Sequence, residues 1–573
     1  MTRCLLAAIA VAAAGLLPVV STAQQAPRAD VPLGLNLAPV NDWSTQQPFI
    51  DVMKTARPWI GHKPGQWGGV DHEALAARGI LDENGWPTEI PHDLGSIGTL
   101  ILTDLPEDAD IYAGRYLLTF RGDGIVEVGG SAENVRYGDG QLRFDFTPGG
   151  GFVGLRIQRS DRRGTGDYLR DISVVKMEHA EAWRRGKHFN PHWLERMRGV
   201  SVLRFMDWMD TNNSKQGRWQ DRPRPDDYTY AEKGVPAEVM VALANELGAD
   251  AWFCMPHLAD DDYIRRFAET VKARLDRPNR VYVEYSNEVW NWMFDQTKWA
   301  DTRAEARWGK EHKGVQFYGM RAAQVARLWA EVFGDVRDRL TTVVATHTRW
   351  LGLETQILDA PLWVNEAPEQ NAPPAQAFDA YAVTGYFGHP LGKPERRDML
   401  ARWLAESRAA ARATGQAQGL SGAALEEHVA RHRYDAAVEK ATEELADGRH
   451  SGQVDGTLSN LLDHIQPHHA QVARDRGLEL IMYEGGTHVL GHGPVTNDEE
   501  ITAFFTHLNY TPQMAQLYRR LVAGWAETGG GLFTAFNDVM KPIKWGSWGH
   551  LRHLGDDNPR WRAIQTLKDP ALQ

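Results

Sequence analysis

Val281-Tyr282-Val283-Glu284-Tyr285-Ser286-Asn287-Glu288-Val289-Trp290-Asn291 reads as a short buried strand that stops on an Asn-Glu pair. Val, Tyr and Val suit a pleated, half-buried surface. Side chains of a strand alternate faces, so Tyr282, Glu284, Ser286 and Glu288 are expected on one side. An acid at the carboxyl end of a strand is placed where a (β/α)8 barrel carries its reactive groups.

Working outward, a second run ends in the same way: Leu478-Glu479-Leu480-Ile481-Met482-Tyr483-Glu484-Gly485-Gly486 is compact and apolar and stops at an acid followed by two glycines. Other strand-like runs cover 33–38, 200–206, 251–255, 342–347, 378–386 and 531–537. Helical patterns separate many of them, near 47–55, 191–197, 236–247, 315–333 and 513–528. Strand alternating with helix predicts an α/β fold, a (β/α)8 TIM barrel.

Two stretches depart from that alternation. Between Leu81 and Met177 the apolar residues alternate with period two, in runs such as Tyr116-Leu117-Leu118-Thr119-Phe120 and Leu142-Arg143-Phe144-Asp145-Phe146, separated by Gly, Asp and Asn turns. This predicts an inserted β-sandwich domain over 81–177, with the barrel formed by 31–80 and 178–573. From 395 to 476 the chain is Ala- and Glu-rich with breaks expected at Gly415, Gly419 and Gly448, an extended helical insertion.

Residues 1–23 carry Arg3, an apolar stretch from Leu5 to Val20 and Ser21-Thr22-Ala23 ahead of Gln24, a secretory signal peptide pattern. Export to the periplasm or the extracellular space is expected. Cleavage removes Cys4 and leaves Cys254 without a partner in the chain. With 42% hydrophobic and 24% charged residues the composition is that of a globular protein, and a net charge of −12 disfavours nucleic acid or an anionic membrane surface as partner. The 21 tryptophans suit a protein that stacks sugars, and they equally suit a large core.

An Asn-Glu pair ending one strand and Tyr-Glu-Gly ending a later one resemble the clan A retaining glycoside hydrolases, TIM barrels with an acid/base after strand 4 and a nucleophile after strand 7. The resemblance covers most of 31–57 and 180–570, and it assigns no family within the clan. It implies that Glu288 is the acid/base and Glu484 the nucleophile. It also implies that Asn287 binds the sugar 2-hydroxyl, and it covers Glu284 through the Glu-x-x-Asn-Glu pattern. Arg204 at the end of strand 2 is expected to support the nucleophile, His257 to lie in the site after strand 3, and Tyr386 to reach the nucleophile from the end of strand 6. The clan often ends strand 8 on a tryptophan, whereas this chain reads Phe536-Asn537-Asp538, so Trp545 and Trp548 are expected to supply the sugar platform from the following loop.

Retaining hydrolysis needs one carboxyl to protonate the leaving oxygen and another to attack the sugar, about 5–5.5 Å away. The expected charge state near neutral pH is Glu484 ionised and Glu288 protonated, with Glu288 pushed upward. No cofactor is expected. No metal is expected either, because the histidines and acids are dispersed and no His-Glu-x-x-His or Cys-rich spacing occurs. The expected function is hydrolysis of a β-linked polysaccharide or oligosaccharide. Two alternatives stay open at this point: a non-catalytic exported polysaccharide-binding protein on a barrel scaffold, and a transglycosylase that shares the same residues.

Overall fold

The computed structural model describes residues 31–568. The signal peptide expected over 1–23 and Cys4 lie outside the described residues. Eight parallel strands close into a barrel: β1 (Leu33–Asn36), β2 (Val202–Arg204), β3 (Asp250–Met255), β4 (Val281–Tyr285), β5 (Leu340–Ala345), β6 (Ala380–Phe387), β7 (Glu479–Thr487) and β8 (Phe533–Ala535). Neighbours in sequence pair in space, and Leu33 against Phe533 closes the ring. The protein is a (β/α)8 barrel with insertions. Helices such as Ala237–Leu247, Asp261–Arg274, Gly314–Phe333 and Pro512–Glu527 return the chain from one strand to the next. Gly248 and Gly477 end two such helices in the left-handed region (φ 65° and 66°), which turns the chain directly into β3 and β7.

Antiparallel strands fill the gap between β1 and β2 in two sheets. One holds 114–121, 132–138, 141–146 and 170–176; the other holds 60–62, 69–70, 96–101, 124–130 and 153–160. The strands at Ile60–His62 and Gly69–Val70 belong to the second sheet although they precede residue 81. A Gly-rich turn between these short strands hides their periodicity. Alternate residues such as Tyr116, Leu118, Leu142 and Phe144 are buried and join the same apolar core as the barrel. Trp59 is fully buried and stacks on Tyr228 at 5.2 Å, and Trp86, between the strands at 69–70 and 96–101, packs on both at 6.3 and 5.7 Å, so the two parts share aromatic contacts.

The helix expected near 47–55 is only a 3-10 turn, Val52–Thr55. Asp51 explains the difference: its carboxylate accepts from the Met53 and Val174 backbone N–H groups, so the segment is held in bridge pairing with the 170–176 strand instead of coiling. Within 395–476 the helices are Arg397–Ala417, Gly422–His432 and Asp435–Asp447, followed by a short helical run into Gln466–Arg476, which packs on β6 and β7 as a barrel helix. Gly448 ends its helix in the left-handed region (φ 76°). Gly415, expected as a break, lies inside a helix instead; a Cβ there would meet Leu425 and His428, so the glycine serves close helix packing. Among the described residues no helix is long and apolar enough to cross a membrane.

Candidate active site

A single guanidinium organises the carboxyl ends of the barrel strands. Arg204, the last residue of β2, is fully buried. Its Nη2 donates to Glu284 Oε2 and to Asn287 Oδ1, both at 2.9 Å. Its Nη1 donates to Glu484 Oε1 and to Asn36 Oδ1, again both at 2.9 Å. Four strands, β1, β2, β4 and β7, are therefore tied by one planar fork, the geometry for which arginine is suited and lysine is not. Glu284 points inward from β4, where Oε2 also accepts from Trp252 Nε1 at 3.0 Å.

Glu484 reaches this centre because β7 carries an irregularity. Val383 of β6 pairs with Met482, but the next residue, Thr384, pairs with Glu484, so Tyr483 is left as an extra residue in the strand. Such a bulge re-aims side chains. Its consequence here is that two consecutive residues both face the site. Tyr483 packs its ring under the Arg204 guanidinium at 5.1 Å and donates from its hydroxyl to Glu288 Oε1 at 3.0 Å. Glu484 Oε2 accepts from the Tyr386 hydroxyl at 3.0 Å.

The alternation expected along 282–288 stops at Tyr285, where β4 ends. Ser286 and Glu288 take positive φ values of 62° and 42°, so Glu288 comes to the site from a tight turn and not from strand parity. Asn291 Nδ2 donates to Glu288 Oε2 at 2.9 Å, which completes the support of that carboxylate together with Tyr483. Asn287 is buried, and its Nδ2 donates to Asn212 Oδ1 at 3.1 Å from the loop after β2.

Burial pushes the Glu484 carboxyl up to about 8; Arg204 and the Tyr386 hydroxyl pull it down, and the charges of Glu288 and Asp207 push it further up. The sequence placed the upward push on Glu288, but the enclosed position of Glu484 puts one on the other carboxylate. The Arg204 guanidinium, shared with Glu284, does not offset the burial of Glu484.

The remaining expected residues are distributed unevenly. Trp548 meets Tyr386, His488 and Phe536 edge-on at 5.9, 5.3 and 5.6 Å, so it flanks the residue that holds Glu484. Trp545 is 57% exposed with Lys544 over its ring, and its backbone carbonyl accepts from Trp548 Nε1. His257 is buried against Trp299, and burial lowers it to about 4; no hydrogen bond from its ring reaches Glu288 or Glu484 among the described residues. Its backbone carbonyl instead accepts from the Tyr285 hydroxyl.

Sequence reasoning missed Asn36, Tyr483 and Asn291. Asn36 is the terminal residue of β1 and also donates to the Tyr483 carbonyl at 2.9 Å. The signal available for Asn36 was a polar side chain inside the otherwise apolar run 33–38. His347, just after β5, was also missed; its Nδ1 accepts from the Arg349 and Trp350 backbone N–H groups, and the ring feels the charge of Glu288.

No protein-family model matches the chain, and no curated protein does. Solved structures to which it is similar include a fungal β-1,4-galactanase (12% identity, 63% of this chain and 86% of that chain, TM-score 0.26). A family 51 α-L-arabinofuranosidase from Bifidobacterium longum matches at 11% identity over 65% of each chain, with a TM-score of 0.30. The CBM22-1–GH10 modules of a Clostridium thermocellum endo-1,4-β-D-xylanase, solved with xylohexaose, match at 8% identity over 91% of this chain and 98% of that chain, with a TM-score of 0.33. Likenesses this distant say nothing about activity; the closed parallel barrel stands on its own strand pairing.

Proposed function

We propose that this chain is a retaining glycoside hydrolase acting on a β-linked polysaccharide or oligosaccharide, with Glu484 as nucleophile and Glu288 as acid/base. The observation that carries the reading is the separate support of two carboxylates at one barrel mouth: Arg204 and Tyr386 on Glu484, Tyr483 and Asn291 on Glu288.

In the first step Glu484 attacks the anomeric carbon while Glu288 gives its proton to the leaving oxygen, so the glycosidic bond breaks as the glycosyl ester forms. The productive state has Glu484 ionised. With Glu288 protonated, its charge no longer adds to the push that burial exerts on Glu484. When Glu484 becomes a neutral ester, Arg204 keeps Glu284 as a counter-ion, so the guanidinium is not left unpaired in a buried position. In the second step Glu288 deprotonates water, which attacks the anomeric carbon and frees Glu484 with retained stereochemistry.

Substrate contacts are assigned to Asn287, Trp548 and Trp545. Support for a carbohydrate partner comes from exposed tryptophans in loops after β4, β5 and β8: Trp292 (55%), Trp350 (55%) and Trp545 (57%) offer flat apolar faces to solvent. The apolar leader at 1–23 supports export.

The test is release of reducing ends from a panel of β-glucans, mannans and xylans. It is paired with trapping by a 2-deoxy-2-fluoro glycoside and mass mapping of the labelled peptide. A glycosyl ester on Glu484 supports the reading. Binding to the panel without hydrolysis or label would replace it with the polysaccharide-binding alternative.

A further inference from the structure

Three histidines converge beside the cleft where the chain leaves β6 and β7. His389 follows β6, His488 follows β7, and His492 stands one short loop further on. Nδ1 of His389 lies 3.3 Å from Nδ1 of His488. The His389 and His492 rings are 4.1 Å apart, and the His488 and His492 rings lie nearly parallel at 5.7 Å. One ring nitrogen from each residue falls within 4.8 Å of those of the other two.

Hydrogen bonding accounts for this arrangement incompletely. Two Nδ1 atoms facing each other can share one proton, and Nε2 of His492 is buried with no partner. A second histidine group, His468 and His469 near Glu354, is different. His469 is satisfied on both sides by Tyr381 and Thr348, and His468 by Glu354. The geometry at His389 and His488 fits a shared ion instead, because two nitrogens bound at about 2.0–2.1 Å to one tetrahedral zinc lie about 3.3–3.4 Å apart.

We propose that His389, His488 and His492 form a binding site for one divalent transition-metal ion of the zinc class, which joins the loops after β6 and β7. Imidazole donors favour zinc, nickel, copper and cobalt over magnesium or calcium. Three protein nitrogens leave a fourth position for water. The site adjoins the proposed catalytic centre without sharing its residues: the His488 ring meets Tyr386 at 5.8 Å and Trp548 at 5.3 Å, both edge-on. An ion there holds one wall of the cleft. The absence of a metal expected from the dispersed histidines is revised accordingly, since β6 and β7 pair side by side and bring together residues remote in sequence.

The test uses the full chain stripped with chelator and titrated with Zn²⁺ by calorimetry, with Co²⁺ absorption as a second readout. Expected are one ion per chain at micromolar affinity or tighter and the visible d–d bands of a tetrahedral cobalt centre. His389→Ala and His492→Ala should each weaken binding by roughly a hundredfold or more, beyond the 10–100-fold typical of losing an outer partner. The exposed His92→Ala should bind as wild type does. His389→Asn, checked by circular dichroism for native structure, guards against a variant that fails to fold. Absence of zinc binding by the wild type, or binding unchanged in folded His389 and His492 variants, overturns the proposal.

Discussion

The Tyr483 hydroxyl lies 3.0 Å from Glu288 Oε1, so the residue preceding one carboxylate of the site positions the other. The irregularity in β7 thus aims Glu484 and also supplies one of the two donors on Glu288. Tyr483→Phe keeps the ring under Arg204 and removes only this donor. Hydrolysis of substrates with poor leaving groups should fall about 10–100-fold, the worth of a hydrogen bond to a charged group. Aryl glycosides with acidic leaving groups should lose less. Equal losses across a leaving-group series would show that Tyr483 does not act through Glu288.

The two glutamates should separate by their response to azide. Glu484→Ala should abolish turnover on every substrate, and azide should restore some activity with inverted stereochemistry by entering the vacated side. Glu288→Ala should lower turnover of natural substrates by roughly 10²–10⁴-fold while sparing the first step on a dinitrophenyl glycoside. Azide should then release product of retained stereochemistry. Identical responses of the two variants, followed by NMR of the product anomers, would overturn the assignment.

Glu484 gives a pH dependence with a definite sign. Its carboxyl is pushed from an ordinary 4.5 up to about 8 in the folded protein, so between those values the folded chain holds a proton that the unfolded chain has released. Stability should therefore fall as pH rises from about 4.5 to about 8, and the cost should be complete above that window. Urea unfolding of Glu484→Gln should show a shallower fall over the same range. Glu288→Gln removes a charge that raises Glu484, so the carboxyl stretch of Glu484 in isotope-edited infrared titration should move to lower pH. A shift upward would contradict the coupling.

The inserted sheets should not be separable from the barrel. Trp59 is fully buried against Tyr228, and Trp59→Ala should cost about 3–5 kcal/mol by denaturant unfolding. Deleting residues 60–176 removes Trp86 from Tyr228 and the Val174 N–H from Asp51, leaving a buried carboxylate without that donor. The truncated chain should lack a cooperative melt. A barrel that melts cooperatively after this deletion would show that the shared core is dispensable.

The amino-acid sequence by itself determined the alternation of strand and helix and the two runs, 281–288 and 478–486, that deliver glutamates to one end of a barrel. Those features are local: β-branched and aromatic residues favour a strand, and a strand in a parallel sheet has one carboxyl end. Tertiary structure alone decided how the acids are presented. Tyr483 becomes an extra residue only when β7 is laid against β6, and the positive φ of Ser286 and Glu288 gives no strand-like signal in the letters. Arg204 is legible as a charge at a strand end, but its simultaneous grip on Glu284 and Glu484 depends on β2, β4 and β7 meeting at the barrel centre. The raised Glu484 carboxyl and the convergence of His389 with His488 and His492 have the same origin. Burial and proximity belong to the space that elements enclose, and residues far apart in the chain acquire them only when the barrel closes.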